Sequence, residues 1–380
     1  MRVGISTSVI QRGRTGVAQY VFALLRALLP YAQTHEFVLF VLEEDVPHFD
    51  FAKGRMGLVR VPERFRPPIK NILWHQTRLP KLARALGLDV LHVPSYRRML
   101  WSKPCALVAT IHDLAPFRVA NKYDWMRMFY GQVVARQLAR RQDEIIAISE
   151  NTAGDLRHFF KVPAERIKVI HNGLEHNRFF ARNGEIAREE VLQRYGLTKP
   201  FFLYTARLEH PGKNHVRLIK AFEQFKAAAR SDWQLALAGS DWHGATAIHD
   251  SIACSPVKDD IRRLGFVPDA DLPPLYRAAE VFIYPSLYEG FGLPPLEAMA
   301  SGCPVISSAR GSLNEVLGSA AVIVNPEDVE QMAKQMLAVA TSESARRRLR
   351  EEGLQQARKF DWAQTAKETL AVYTKASGKP

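Results

Sequence analysis

The sequence predicts an α/β protein built of two doubly wound domains with parallel sheets. Three observations carry that expectation. The chain has 380 residues, too many for one ordinary domain and enough for two that each bury a core. Short β-branched runs alternate with longer stretches of helical spacing almost throughout, the signature of parallel strands joined by crossover helices. The alternation also starts afresh near Phe201, after a stretch that lacks it.

The first set of strands is "VGISTSV", "FVLFVL", "DVLHVP", "ALVATIH", "EIIAIS" and "IKVIH". Between them, Val17 to Tyr31 and the stretch from about Tyr123 to Arg141 carry apolar residues at three- and four-residue spacing and are predicted as helices. Residues 173 to 199, with Gly173, Gly184 and Lys199-Pro200, predict a linker and one short helix. The second set is "FFLYTA", "WQLALAG", "IRRLGFV", "EVFIYPS", "CPVISS" and "AAVIVN". Asp361 is placed to cap a terminal helix through "DWAQTAKETLAVYTKA". The expected domains are 1–178, joined by the returning C-terminal helix 360–380, and 179–359.

A hydrophobic share of 47% and a charged share of 24% are those of a soluble globular chain. No run of about eighteen apolar residues is present, so no membrane span is expected. The opening "MRVGISTSVI" reads as a first strand and not a signal peptide, and Cys105, Cys254 and Cys303 have neither pairing nor metal spacing. A cytoplasmic location is the expectation. The net charge of +13 is uneven: residues 1 to 180 hold 27 Lys and Arg against 15 Asp and Glu, and the remainder is nearly balanced. The first half therefore faces something anionic.

In doubly wound sheets ligands bind at the carboxyl ends of strands. "EVFIYPSLYEGFGLPPLEAMASGCPVISS" reads as strand, loop, helix and strand, with Glu289, Gly290 and Gly292 on the loop and Pro294 and Pro295 in the first helical turn. Glycines there admit a ligand to the backbone, and a helix N-terminus attracts a phosphate. Glu289 and Glu297 stand at the two ends of this loop with seven residues between them. Carboxylates accept hydrogen bonds from hydroxyls, so the pair suits a ligand with sugars at both ends and phosphate in the middle, a sugar nucleotide. On spacing alone, Glu289 as a solvated loop residue and Glu297 as a first-turn acid is equally open.

Glu289 and Glu297 in "PSLYEGFGLPPLEAMASGCPVISS" resemble the E-x7-E motif of the retaining glycosyltransferases of family four, also called group 1. The resemblance extends through "RTGVAQYVFALLRAL", "TIHDLAPF", "AISENTAGDL", "VIHNGLEHNRF", "YTARLEHPGKNHVRLIKAF" and "GFVPDADLPPLYRAAEVFIYPS", nearly the whole chain. It implies the GT-B fold: two Rossmann-like domains facing a central cleft, with the N-terminal one binding acceptor, the C-terminal one binding nucleotide sugar, and the last helix crossing back.

By that resemblance Arg207 and Lys213 in "ARLEHPGKN" bind the donor diphosphate. A guanidinium fork and an ammonium also suit the charge that grows on a leaving phosphate. Glu289 matches the residue that holds the transferred sugar and Glu297 the one that holds the ribose, while Gly290 and the backbone of Phe291, Gly292 and Leu293 lie between. Val267 matches the position whose backbone meets the nucleobase. Gly13 and Gly16 form the turn after the first strand, and Gly16 matches the glycine beside the diphosphate. His112 matches the histidine near the reacting sugar; Asp113 either orients its ring or caps the next turn. Asp269 to Asp271 imitate a metal motif, but Asp271 is placed as an N-cap, and the family implies no metal or other cofactor. No carboxylate is obviously placed as a nucleophile, which favours attack from the leaving-group face with the departing phosphate taking the acceptor's proton; a double displacement through an enzyme nucleophile remains open.

The basic first half carries "RVPERFRPPIK", "YRRMLWSK" and "KYDWMRMFYGQVVARQLARR", which mix bases with Trp101, Trp125, Met126, Met128, Phe129 and Tyr130. This suits an anionic inner leaflet and a lipid-diphosphate acceptor; equally, the aromatic and Met residues are helix core and the bases solvated. Nucleic-acid binding is disfavoured because no binding motif or stacking platform appears. A nicotinamide enzyme is disfavoured because "GRTGVA" lacks G-x-G-x-x-G. The expectation is a retaining hexosyltransferase, peripheral at the cytoplasmic membrane face, that adds a hexose, mannose from GDP-mannose favoured, to a glycan or lipid-linked glycan in bacterial surface polysaccharide synthesis. The alternatives are a small soluble acceptor or a non-catalytic scaffold of the same fold.

Overall fold

Among the described residues every strand pairing is parallel, in two separate sheets. The computed structural model describes residues 1–13, 15–118, 130–181 and 185–379. They divide into two compact units, Met1–Gly173 with Asp361–Pro380, and Leu174–Phe360.

The first unit has strands β1 Arg2–Ser6, β2 Glu36–Leu42, β3 Gly57–Val61, β4 Val90–Val93, β5 Ala106–Ile111, β6 Glu144–Ala147 and β7 Ile167–Val169, in the order β3-β2-β1-β4-β5-β6-β7. Register is set by pairs such as Val3 with Phe37 on one side and Val3 with Val90 on the other. Residues Phe37 to Leu42 of β2 and Leu107 to Ile111 of β5 are buried throughout, as a strand covered by helices on both faces must be. β3 is the one strand of this sheet that the apolar runs did not announce. It is an edge strand with Gly57, Leu58 and Arg60 exposed, so it needs no continuous apolar run.

Helix α1 spans Gly16–Leu28, three residues shorter at its end than its spacing predicts, and a 3₁₀ turn follows over Leu29–Gln33. Pro30 lacks the N–H an α-helix would use there, and the Leu29 N–H bonds to Arg26 O in the tighter turn instead. Thr15 caps α1 by accepting from Ala18 N at 3.2 Å. Helices α2 Pro68–Thr77 and α3 Leu79–Ala85 follow β3. Of the helix expected over Tyr123 to Arg141, the part up to Phe129 lies outside the described residues, along with Trp125, Met126 and Met128; a wide π-type turn Tyr130–Ala135 leads into a short α-helix Arg136–Ala139.

The last helix, Trp362–Ser377, belongs to the first unit. Asp361 caps it as the sequence predicts, accepting from Ala363 N at 2.9 Å. Its Tyr373 hydroxyl meets His92 Nδ1 at 2.7 Å, and Thr365 Oγ1 donates to His171 O at 2.8 Å.

The second unit has β8 Phe201–Thr205, β9 Gln234–Ala238, β10 Ile261–Gly265, β11 Val281–Tyr284, β12 Val305–Ser308 and β13 Val322–Val324, ordered β10-β9-β8-β11-β12-β13. The expected short helix before it is Glu185–Arg194; Gly184 lies outside the described residues. In each sheet the chain winds outward one way and then the other, so the strand order reverses between β1 and β4 and between β8 and β11. A doubly wound sheet opens its ligand crevice at such a reversal, beyond the carboxyl ends of the strands.

Candidate functional site

The loops that follow β8 and β11 converge at the reversal point of the second sheet. Gly212 O accepts from Leu287 N at 3.0 Å and from Ser286 Oγ at 3.3 Å. Asn214, at the entrance of the His215–Ala229 helix, donates to Pro285 O at 3.1 Å and to Pro326 O at 2.6 Å. These bonds place Lys213 Nζ 2.6 Å from Glu289 Oε1. The Tyr284 hydroxyl donates to that same oxygen at 3.1 Å, and the Tyr204 hydroxyl donates to Lys213 O at 2.6 Å. Burial disfavours the Lys213 ammonium, but the Glu289 carboxylate outweighs it with help from Tyr204 and Glu209, and the lysine pKa stands above its ordinary value. The pair is held charged under a thin protein cover.

Arg207 stands on the same β8 loop, half exposed, with its guanidinium 4.5 Å from the Trp242 ring centroid and 3.4 Å from Glu209 Oε2. Glu209, Tyr204, Tyr284 and Trp242 were not singled out in the sequence. The available signal was weak: a tyrosine on a fully buried strand must find its hydroxyl a partner, but the sequence does not say which.

Glu289 is also fixed from behind. Its carbonyl accepts from Ser312 N at 3.0 Å and from Ser312 Oγ at 3.2 Å. Gly311 permits that approach, because a Cβ there would stand 2.2 Å from Glu289 O and the residue has a φ of 66°.

The helix that the two prolines start runs Leu293–Ala300, with Gly292 as its cap residue at a φ of 98°. Pro294 and Pro295 have no N–H and so offer no donor at this helix end. The first amide of this helix is that of Leu293. Phe291 is buried and packs edge-on against Phe360 at 5.7 Å.

Glu297 does not join the Lys213 cluster. Its Oε2 accepts from the Tyr276 hydroxyl at 2.9 Å, and that hydroxyl meets Thr205 Oγ1 at 2.9 Å. Burial pushes the Glu297 carboxyl up to about 7, against the pull of the Tyr276 hydrogen bond and Arg178. The rings of Tyr276, Phe282 and Tyr284 form a row, at 5.5 and 5.8 Å, between the two glutamates' partners. Val267 is buried just after β10, and Phe266 before it is 66% exposed.

Asp271 corrects a detail of the sequence reading. It occupies the N-cap position of the Leu272–Ala278 helix, but its side chain does not cap. Its carboxylate accepts from Arg194 at 2.7 Å and from the Tyr195 hydroxyl at 2.8 Å, a structural clasp. Among the described residues no group of three His, Cys, Asp or Glu is arranged to hold a metal ion.

In the first unit, Gly16 opens α1 with no atom within 4 Å of where a Cβ would stand, so packing does not demand a glycine there. Gly13, at a φ of 77°, makes the preceding turn; Arg14 lies outside the described residues. His112 follows β5, its ring edge-on to Tyr20 at 4.7 Å. Burial depresses its pKa to about 4, despite the nearby Asp113 carboxylate and a hydrogen bond to the Pro94 backbone. Nε2 is buried and has no hydrogen-bond partner among the described residues. A carbonyl only accepts, so the proton of this neutral ring sits on Nδ1 toward Pro94 and Nε2 is an acceptor. Asp113 resolves as a cap, accepting from Ala115 N at 2.9 Å.

Comparison with known proteins adds to this geometry. The family profile described as Glycosyltransferase Family 4 matches residues 14–178, and that described as Glycosyl transferases group 1 matches residues 188–356. The chain is 28% identical to O-antigen chain mannosyltransferase B of Escherichia coli, over 98% of its own length and 99% of that protein's. It is 27% identical to O-antigen chain mannosyltransferase RfbU of Salmonella typhimurium, over 85% and 87%. The structure of HepE from Anabaena, solved with UDP and glucose, matches with a TM-score of 0.80 over 99% of this chain and 100% of that one, at 18% identity, a likeness of fold.

Proposed function

This chain belongs to the family-four, group 1 glycosyltransferases of GT-B fold, and we propose that it transfers mannose, with retention at the anomeric carbon, from GDP-mannose to a glycan or lipid-linked glycan of a bacterial surface polysaccharide. The observation that carries the proposal is the Lys213–Glu289 pair at the strand-order reversal. It puts a cation for phosphate and an acceptor for hydroxyls side by side where a doubly wound sheet binds ligand. The relatives named above, both O-antigen mannosyltransferases, favour the sugar and the pathway class.

In this reading Arg207 and Lys213 bind the diphosphate and stabilise the charge that grows on it as the sugar leaves. A carboxylate offers about four acceptor positions, so Glu289 takes sugar hydroxyls while keeping Lys213 and Tyr284. Glu297 takes the ribose, the backbone of Phe291, Gly292 and Leu293 contacts the sugar and the diphosphate, and the backbone at Val267 meets the base. Gly16 serves the diphosphate, and Nε2 of His112 accepts from a sugar hydroxyl. The acceptor hydroxyl attacks on the face the phosphate leaves: its oxygen bonds to the anomeric carbon, the bond from that carbon to phosphate oxygen breaks, and the hydroxyl proton passes to the departing phosphate. Charge neutralisation by Arg207 and Lys213 needs no metal.

The test is a thermal-shift screen against GDP, UDP, ADP and dTDP and their sugar conjugates, with and without magnesium, followed by NMR of the product linkage. A nucleotide at about a hundred times its dissociation constant stabilises by roughly 2.7 kcal/mol, a rise of a few degrees. GDP and GDP-mannose are expected to give it without magnesium, and the new linkage to be α. A response to UDP alone would overturn the donor, an inverted linkage the stereochemistry, and silence across the panel the enzyme reading itself.

A further inference from the structure

We propose that the outward face of α2, continued by the turn at Trp101, docks this protein on an anionic phospholipid bilayer. The inference deepens the lipid-linked part of the reading above and is tested independently of it. Helix α2 buries Asn71, Trp74 and His75. The opposite face carries Ile69, 74% exposed, and Leu73, 55% exposed, four residues apart and so neighbours on one helix side. Gln76, three positions on, shares that side and clamps the following loop: its Nε2 donates to Met99 O at 2.9 Å, and its Oε1 accepts from Trp101 N at 2.9 Å. Trp101, 54% exposed, thereby extends the apolar stripe, with Arg141 over its ring at 4.8 Å.

Single exposed apolar residues are ordinary on a protein surface. What distinguishes this stripe is its continuity and its charge. From Arg64 to Lys103 the sequence has nine Lys and Arg and one acid, Asp89. Lys70, Arg78, Lys81 and Arg84 are exposed, and the one acid of the segment, Asp89, pairs with Lys379. Apolar side chains enter the acyl boundary, a tryptophan settles at the headgroup level, and long basic side chains reach anionic headgroups. A second copy of the same face is disfavoured as the occupant, because like charges would meet.

The test is cosedimentation of the full chain with phosphatidylcholine vesicles that contain phosphatidylglycerol and with vesicles of phosphatidylcholine alone. Binding to the first kind is expected, weakened by salt and accompanied by a blue shift of tryptophan emission that Trp101→Phe reduces. The double variants Ile69→Ser with Leu73→Ser, and Lys70→Glu with Lys81→Glu, should each weaken binding by about tenfold or more while leaving transfer to a water-soluble acceptor unchanged. Equal binding to neutral vesicles, or variants that bind like the unaltered protein, would overturn the proposal. So would a dimer that Ile69→Ser dissociates, which would assign the face to self-association. Lost vesicle binding with intact nucleotide response refutes this surface alone, not the transferase reading.

Discussion

Lys213 and Glu289 stand 76 residues apart in the chain and 2.6 Å apart in space. Their side chains are 18% and 14% exposed, so neither charge is left to bulk water and each depends on the other. The loops that carry them leave neighbouring strands on the two sides of the sheet reversal, which is why a crossover topology brings them together.

Removing one member separates stability from catalysis. Lys213→Ala should cut turnover by about a hundredfold or more if the ammonium stabilises the leaving phosphate, and should cost roughly 2–4 kcal/mol because it strands a mostly buried carboxylate. Adding Glu289→Gln should restore much of the stability and none of the rate. Steady-state kinetics and thermal melts of the single and double variants decide it; a single variant with near-normal turnover would sink the assignment.

Glu297 should leave a pH signature in stability. Its folded pKa of about 7 lies above the ordinary 4.5, so the folded state holds a proton that the unfolded chain has released. The contribution is complete below about pH 4.5 and is lost as pH rises through 7, up to roughly 3 kcal/mol. Glu297→Gln, neutral at every pH, should gain in melting temperature relative to the unaltered protein between pH 5 and 8. A difference that does not vary with pH would refute the perturbed carboxyl.

His112 carries the opposite sign. With a folded pKa of about 4 against an ordinary 6.5, its neutral burial favours the fold above pH 6.5, and that contribution is lost as pH falls toward 4. Its ring resonances should therefore stay constant from pH 8 to pH 5 in an NMR titration. A midpoint near 6.5 would show that the ring is not buried as described.

Gly292→Ala should destabilise by about 1–3 kcal/mol. The residue has a φ of 98°, and a Cβ would stand 2.5 Å from Leu313 Cδ2. Chemical denaturation measures the loss, and an unchanged midpoint would mean that the loop relaxes freely.

Much of the fold was legible because parallel strands buried on both faces must read as apolar runs, as β2, β5, β8 and β9 do. β3 was not legible because an edge strand is under no such constraint. The cap at Asp361 was legible because it is local, one carboxylate bonding an amide two residues on. The cap at Asp271 failed because Arg194, at the end of a helix far back in the chain, and Tyr195, in the turn after it, claim the carboxylate.

The same division runs through the candidate site. The sequence by itself determined the residue types on the loops after β8 and β11, the glycines and prolines that start the Leu293–Ala300 helix, and the uneven charge of the chain. Only the tertiary structure decided that Lys213 is paired with Glu289 rather than solvated, that Glu297 belongs with Tyr276, and that Ser312 and Gly311 support the Glu289 backbone. Local patterns follow from backbone sterics and solvation, which act over a few residues. Ion pairs and hydrogen bonds between strand ends depend on the order of strands in the sheet, and that order exists only once the chain has folded.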